Sequence, residues 1–466
     1  MNTNEIKGRR VAVIGGKRSG LAASKLLKRA GAKVMMSERE QPKDDAMQRE
    51  LERLHINFEF GGHSENIFAS DFAVISPGVP SNAVIVKQLA NAGVPIYSEV
   101  EMASWFCKAK IIAITGTDGK TTTTAITSRI FTTDAAEQGY KAYTLGNIGT
   151  PFSDYVEELT EKDVAIVETS SFQLDYAFTY KPCVAVITNI TPDHLDRYDN
   201  DFKKYAAAKY RIYQSQDETD TLIYNDDDEE LHRHFSDADV LKNVKPQLVP
   251  LSLQKNLDEK FPACGYLEEG WLVLKHNQNK ERLMRQDEIS TRIRGTHNVY
   301  NSLAAALASR ALEIRKEVIR DSIKNFEGVE HRLEFVRELG GTEFINDSKA
   351  TTVNALWYAL DTLQSGVVLI AGGKDKGNDY SKVKPLVRKK VKAIIAIGES
   401  KKKLVAEFAG VTKVIEAATM DEAVRLARRE AKDGDTVLLS PACASFDMFS
   451  NFEERGEVYK RLVSSL

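Results

Sequence analysis

Ile111-Ile112-Ala113-Ile114-Thr115-Gly116-Thr117-Asp118-Gly119-Lys120-Thr121-Thr122 is the stretch whose reading decides the fold. An apolar run enters a turn with two glycines and leaves as a helix that carries Lys-Thr at its start. Glycines let backbone N–H groups face a phosphate chain, and the helix N-terminus adds its dipole. Lys120 is then placed to neutralise β/γ-phosphate oxygens, with the Thr121 hydroxyl on Mg²⁺. The spacing is GxxGKT, shorter than the usual GxxxxGKT, which weakens a bare pattern match. The alternative is an ordinary βα turn with an exposed lysine; the strand–turn–helix context favours the phosphate loop.

On either side the same rhythm repeats. Short β-branched runs alternate with stretches of helical periodicity, the pattern of parallel sheets covered by helices. Upstream, strands are expected at Val11–Ile14, Lys33–Met36 and Phe72–Ser76, with a helix from about Gly20 to Ala30. Around the loop they are expected at Lys110–Thr115, Val164–Glu168 and Cys183–Thr188, nearly all apolar, as strands buried on both faces are. Downstream they fall at Val367–Ala371, Ala393–Ile397 and Thr436–Ser440. The stretch from about Asp217 to Ile289 reads as an acidic, then loop-rich elaboration of the middle domain. The expectation is an α/β protein of three domains, 1–98, 99–328 and 329–466. Its outer domains are Rossmann-like and its centre is P-loop ATPase-like with a parallel sheet.

Three further segments bear on chemistry. Gly15-Gly16-Lys17-Arg18-Ser19-Gly20 looks like a dinucleotide fingerprint with Lys17 in place of the middle glycine, which disfavours a true NAD site. The second strand closes with Met36-Ser37 before Glu38, so the usual acidic residue is missing from its end. By itself this turn is as compatible with a purely structural role as with a diphosphate site. Glu168 ends a buried strand, where ligands of such sheets bind, and suits a Mg²⁺ that bridges ATP phosphates. His194, between Asp193 and Asp196, reaches the same edge after the next strand. Lys209, in Ala206-Ala207-Ala208-Lys209-Tyr210, reads from spacing as a structural helix lysine.

Composition bounds the rest. Over 466 residues, 64 basic and 67 acidic side chains give a net charge of −3, with no excess to hold a polyanion. No nucleic-acid partner is expected. No apolar run approaches the ~18 residues of a membrane span, and the start lacks a secretory pattern. Four scattered cysteines without a CxxC pair argue against disulfides and thiolate zinc, and for a reducing cytoplasm. A monomer with no membrane partner is expected.

Taken together, the motifs resemble the Mur ligase family, ATP-dependent amide-forming enzymes of peptidoglycan precursor synthesis. The similarity runs over essentially the whole chain. It includes residues 115–122, Gly146-Asn147-Ile148-Gly149, Glu168-Thr169-Ser170-Ser171-Phe172-Gln173-Leu174 and Asp193-His194-Leu195-Asp196. It continues through Gly295-Thr296-His297-Asn298, His331-Arg332-Leu333-Glu334, Asn346-Asp347-Ser348-Lys349 and Ser440-Pro441-Ala442-Cys443-Ala444-Ser445. The Ser-Ser-Phe-Gln-Leu and Ser-Pro-Ala-Cys-Ala-Ser runs are similar to the D-glutamate-adding branch.

The resemblance implies that the first domain holds a UDP-N-acetylmuramoyl substrate. Arg18, Ser19, Ser37 and Ser76 would lie against uridine or diphosphate, with Asn147 and His194 at the muramoyl-alanine end. ATP would lie between the second and third domains. It would meet Thr117, Asp118, Gly119, Lys120, Thr121, Thr122 and Thr123, with Asn301 at adenine and Arg332 and Asp347 at ribose and phosphate. Two Mg²⁺ ions would be held by Thr121, Glu168 and His194, with Lys209 as a carbamylated lysine supporting the second. Lys349, Thr351, Lys376, Ser445 and Phe452 would grip D-glutamate. Met36, where the family often has an acidic residue, and Asp118, where it usually has asparagine, depart from the pattern. A folylpolyglutamate synthase would share the loop but bind a folate. A non-catalytic nucleotide-binding regulator would not need Lys120, Glu168, His194 and Lys209 together.

Overall fold

The computed structural model describes residues 5–42, 45–276, 279–293, 295–375 and 377–466. Three sheets carry the chain, as expected of three α/β domains. The first has strands β1 (Arg10–Ile14), β2 (Lys33–Glu38), β3 (Asn57–Phe60), β4 (Phe72–Ile75) and β5 (Ile96–Ser98). They run parallel in the order β3-β2-β1-β4-β5, so the order reverses between β1 and β4. A crevice outside the strand ends at such a reversal is where ligands of open α/β sheets bind. Gly15 and Ser76 stand there.

β2 runs two residues beyond the expected end at Met36, because Ser37 and Glu38 still pair with Glu59 and Phe60 of β3. The second strand therefore does finish on a carboxylate, Glu38, which corrects the reading that none was present. Glu38 turns back to accept the Gly16 N–H at 2.6 Å.

The central sheet holds β6 (Lys110–Thr115), β7 (Ala142–Gly146), β8 (Val164–Glu168), β9 (Val184–Ile187), β10 (Thr221–Asn225), β11 (Gln247–Ser252), β12 (Ala263–Glu268), β13 (Trp271–His276) and β14 (Asn279–Arg285). Its order is β14-β13-β12-β11-β10-β9-β6-β8-β7. β6 to β12 run parallel to one another; β13 and β14 then add on antiparallel. The expectation of a loop-rich stretch over 217–289 is thus wrong in kind. It is an elaboration of this sheet, but one that contributes five strands. β14 (Asn-Lys-Glu-Arg-Leu-Met-Arg) lacks the apolar run that marks β6 and β8, whereas β10 and β13 carry short ones, Leu222–Tyr224 and Trp271–Leu274.

The third sheet has β15 (Glu334–Leu339), β16 (Thr342–Asn346), β17 (Val367–Gly372), β18 (Val391–Ile397), β19 (Lys413–Glu416) and β20 (Thr436–Leu439), in the order β15-β16-β20-β17-β18-β19. Only β15 pairs antiparallel. Apolar clusters fill both of its faces.

Packing divides the chain into two compact units. One reaches Ile289 and resumes over Thr296–Asn325; the other joins Ser290–Gly295 to Phe326–Leu466. The first two sheets share a unit because one apolar cluster runs through both. It links Val11, Leu26 and Phe72 by way of Val100 and Met102 to Phe152, Ala113 and Val167. The helix Glu99–Ser104 lies at this seam. Its Glu101 carboxylate accepts from the N–H groups of Phe178, Thr179 and Tyr180, and its Glu99 carboxylate from the Ser153 N–H and hydroxyl. Among the described residues no helix is long and apolar enough to cross a membrane.

Candidate active site

The neighbours β9, β6, β8 and β7 bring their carboxyl ends side by side, and each end delivers part of one site. After β6 the chain makes the phosphate loop, and the helix Lys120–Gln138 starts from a left-handed Gly119. Both glycines are required. A methyl at Gly116 (φ +148°) would overlap Thr188 Oγ1, and one at Gly119 (φ +80°) would overlap Asn301 Oδ1. β9 clamps the loop from the side. The Thr188 hydroxyl donates to the Asp118 carbonyl at 2.5 Å. Asn189 accepts the Asp118 N–H at 2.9 Å and donates to its carbonyl at 3.0 Å. Asn189 went unremarked in the sequence; only its place after a buried strand could have flagged it.

Asn301 is buried behind the loop. Its Oδ1 accepts from Thr123 Oγ1 at 3.2 Å and its Nδ2 donates to Asn298 at 2.9 Å. Thr121, Thr122 and Thr123 are buried in the first helical turn, while Thr117 to Lys120 are half-buried. The Thr117 hydroxyl meets Tyr205 OH at 2.9 Å and the Thr191 carbonyl at 3.1 Å.

Two lysines converge on the loop. Lys120 Nζ donates to the carbonyls of Gly116 and Thr117 at 2.8 and 2.6 Å. Lys209 Nζ, from the helix Phe202–Tyr210, also donates to Gly116 O, at 2.6 Å, and lies over the Tyr205 ring. Lys209 is only 1% exposed. Burial, then the charge of Lys120, hold its amine well below the usual lysine range, against the opposing pull of Asp193, Asp118 and Asp175. Spacing alone marked Lys209 only as a helix lysine; the fold buries it against the phosphate loop.

Glu168 closes β8 in register with Ile114 and Gly146. Its Oε1 accepts from Asn147 Nδ2 at 2.7 Å. Its Oε2 is buried and has no hydrogen-bond partner. A buried carboxylate oxygen left unpaired costs free energy unless a cation or donor completes it. The donor set at this edge, Thr121 hydroxyl, Glu168 carboxylate and His194 imidazole, suits a hard divalent cation. His194 is exposed in a left-handed conformation, with its ring 5.4 Å from that of Phe172 and Nε2 3.5 Å from Asp193.

At the first sheet, Gly15 is tied on two sides: its N–H donates to the Ser37 carbonyl and its carbonyl accepts from Ser76 Oγ at 2.8 Å. A methyl at Gly20 would overlap the Gly15 carbonyl, so the helix Arg18–Arg29 packs here only with glycine. Arg18 is exposed and donates to the Gly149 carbonyl at 3.0 Å; Ser19 is half-buried. The Ser37 side chain is fully buried, held by Glu59 and His63.

In the second unit, β16, β20 and β17 likewise end together. Asp347 is buried, accepting from Ser440 Oγ at 2.8 Å and from the Leu333 N–H at 3.2 Å. Burial raises its carboxyl to about 7, although the Ser440 hydroxyl and the Arg332 charge oppose this. Lys349 and Thr351 are half-buried in the loop after β16, and Ser445 is buried in the loop after β20. Arg455, absent from the sequence reading, binds both loops. It donates to Ser348 Oγ at 3.0 Å, Ser348 O at 2.8 Å and Cys443 O at 3.1 Å. It sits one turn beyond Phe452, whose carbonyl accepts from Ser348 Oγ. Lys376 lies outside the described residues.

Residues 10–85 match the MurD N-terminal domain, 114–309 the Mur ligase middle domain and 331–443 the Mur ligase glutamate ligase domain. A UDP-N-acetylmuramoylalanine–D-glutamate ligase from Chloroherpeton thalassium is 61% identical over 100% of both chains. The chain belongs to the Mur ligase family. Another ligase of the same name, from Salinibacter ruber, is 47% identical over 100% of both. Among solved structures, a UDP-N-acetylmuramate–alanine ligase from Thermotoga maritima shares the fold, with a TM-score of 0.58 at 18% identity over 98% of this chain and 100% of that one. In this Mur ligase the phosphate loop follows β6, Glu168 ends β8 and His194 comes after β9, and these three strands are parallel neighbours.

Proposed function

We propose that this Mur ligase joins D-glutamate to UDP-N-acetylmuramoyl-L-alanine with ATP, through an acyl phosphate. The observation that carries the reading is the edge of the central sheet. A phosphate loop with Lys120 stands beside a buried carboxylate, Glu168, that has one unpaired oxygen. Relatives with the same three matched domains are D-glutamate ligases by name. The match of residues 10–85 to a MurD N-terminal domain speaks against a folate substrate. The same edge argues against a regulator without catalysis. The domain limits belonging to this reading are 98 and 328.

A carboxylate is a poor electrophile because its leaving group would be an oxide. An oxygen of the alanine carboxylate therefore attacks the γ-phosphorus of ATP, ADP leaves, and the acyl phosphate offers phosphate as the leaving group. Attack by the D-glutamate amine on the acyl carbon gives a tetrahedral intermediate. That intermediate expels phosphate and leaves the amide. Lys120 and the loop N–H groups bind the transferring phosphoryl group, where positioning and electrostatics supply most of the catalysis.

Thr121, Glu168 and His194 would hold Mg²⁺, and we assign two ions. Bound there, the metal neutralises phosphate charge. Lys209 is the residue to carry a carbamate. Its depressed affinity for a proton favours the neutral amine that adds to CO₂, and the carbamate nitrogen keeps one N–H for Gly116 O. Asn147 orients Glu168 and reaches the muramoyl-alanine end with His194. Arg18, Ser19, Ser37 and Ser76 serve the UDP group. Asn301 supports the adenine side, and Arg332 and Asp347 serve ATP. Lys349, Thr351, Lys376, Ser445 and Phe452 serve D-glutamate, whose two carboxylates suit two lysines. The enzyme acts as a monomer in the cytoplasm.

Orthophosphate release measured with each substrate omitted in turn tests the reading. Release that needs ATP, UDP-N-acetylmuramoyl-L-alanine and D-glutamate together is the expected result. Release that is equal with L-lysine or with a folate overturns the substrate assignment.

A further inference from the structure

In the first sheet Ser37 is joined to two residues, Glu59 and His63, that neither the sequence motifs nor the proposed chemistry uses. Ser37 of β2 pairs in register with Ile14 of β1 on one side and Glu59 of β3 on the other. Its buried hydroxyl lies 2.5 Å from Glu59 Oε1 and 2.6 Å from His63 Nδ1. Burial raises the Glu59 carboxyl, but hydrogen bonds from Ser37 and Ser64 outweigh it and hold the group below its usual range. Glu59 is therefore ionised and only accepts. Ser37 has one proton, and it goes to Glu59; the short contact to His63 then requires the hydrogen on Nδ1. Burial also lowers the pKa of His63, opposed by the charges of Glu59 and Glu38 and helped by Arg39. A neutral ring with its proton fixed on Nδ1 keeps a lone pair on Nε2. Among the described residues Nε2 has no hydrogen-bond partner, and the ring is half-exposed.

The position of this acceptor is informative. A diphosphate at the N-terminus of the helix Arg18–Arg29 places its nucleoside over the ends of the strands next to β1, where an acidic residue usually takes the ribose. Glu38 stands there but is engaged with the N–H groups of Gly16 and Glu40. His63, three residues past β3, meets the hydroxyl of Ser37, the residue before Glu38. Uracil presents an N3–H between two carbonyls, whereas cytosine presents a lone pair at N3.

We propose that His63, fixed as its Nδ1–H tautomer by Ser37 and Glu59, accepts the uracil N3–H of the UDP-linked substrate and selects uracil over cytosine. The inference rests on the reading that the first sheet binds a UDP group.

The test is steady-state ligation by the full chain and by His63→Phe, which keeps a ring and loses the acceptor. The KM for UDP-N-acetylmuramoyl-L-alanine should rise about tenfold, the value of one lost hydrogen bond, with the KM for ATP and D-glutamate within about twofold. Inhibition by UDP should exceed that by CDP in the unmodified chain, and the preference should disappear in the variant. A variant with unchanged KM and unchanged preference for UDP overturns the proposal. If His63→Phe does not fold, N3-methyl-UDP decides on the unmodified chain: inhibition equal to that by UDP overturns the proposal, and inhibition weaker by about tenfold or more supports it. Failure of the underlying ligase reading would look different, as absence of ligation by the unmodified chain.

Discussion

Lys120 and Lys209 donate to the same acceptor, the carbonyl oxygen of Gly116, at 2.8 and 2.6 Å. Two ammonium groups at one oxygen repel each other, and the repulsion is strongest for the one out of water. Lys120 is half-buried and Lys209 almost wholly buried, so the cost falls on Lys209. Burial first, and then the charge of Lys120, depress the proton affinity of the lysine behind the loop, and that lysine in turn braces the loop.

A consequence is a trade of stability for function at residue 209. The unfolded chain binds a proton there that the native protein resists, so stability falls as pH drops from the ordinary lysine range towards the native pKa. Lys209→Met removes this dependence. In bicarbonate-free buffer its gain in Tm over the unmodified chain should grow as pH is lowered from about 9 to about 6. Ligation should fall about 100-fold or more. Calorimetry with an activity assay checks both; a gain that does not vary with pH counts against a titrating buried amine.

Glu168→Gln keeps an oxygen for Asn147 but removes the charge and turns the unpaired Oε2 into a donor. The Mg²⁺ concentration for half-maximal turnover should rise by about tenfold or more, with the thermal stability of the free protein little changed. A Mg²⁺ titration of orthophosphate release reads the effect. An unchanged midpoint would remove Glu168 from the metal site.

Gly456 lies inside the helix Phe452–Ser464, where alanine would ordinarily stabilise by about 1 kcal/mol. A methyl there would overlap His331 Nδ1, whose ring is fixed by Asn346 at 2.9 Å. Overpacking of this kind costs about 1–3 kcal/mol, so the clash outweighs the propensity. Gly456→Ala should lower the denaturant midpoint of the second unit. A raised midpoint would mean that the His331 ring moves freely.

Asp347 titrates the other way from Lys209. Its native carboxyl keeps a proton up to about 7, which the unfolded chain releases near 4, so stability falls as pH rises between those values. Asp347→Asn lacks this loss. Its Tm advantage should be small at pH about 4 and grow towards pH about 8. An advantage that shrinks over that range would show that Asp347 is ionised when folded.

Sequence alone was enough for whatever is written in contiguous residues. β6 and β8 follow the apolar runs Ile111–Ile114 and Val164–Val167 and add only the polar residues at their ends, because a strand buried on both faces is apolar along most of its length. The phosphate loop was legible for the same reason, since two glycines, a lysine and a threonine make it almost unaided. Edge strands such as β3, β7 and β19 escaped, because a half-exposed strand needs no apolar run. What only the tertiary structure decided depends on chain segments far apart meeting. Lys209 reads as a helix lysine until the fold brings it to a carbonyl 93 residues away. Asn189 becomes a clamp only against Asp118, Arg455 only between Ser348 and Cys443, and the proton of His63 is placed only by Ser37 and Glu59. Proton affinity and hydrogen-bond roles are set by surroundings in space, and folding alone assembles those surroundings.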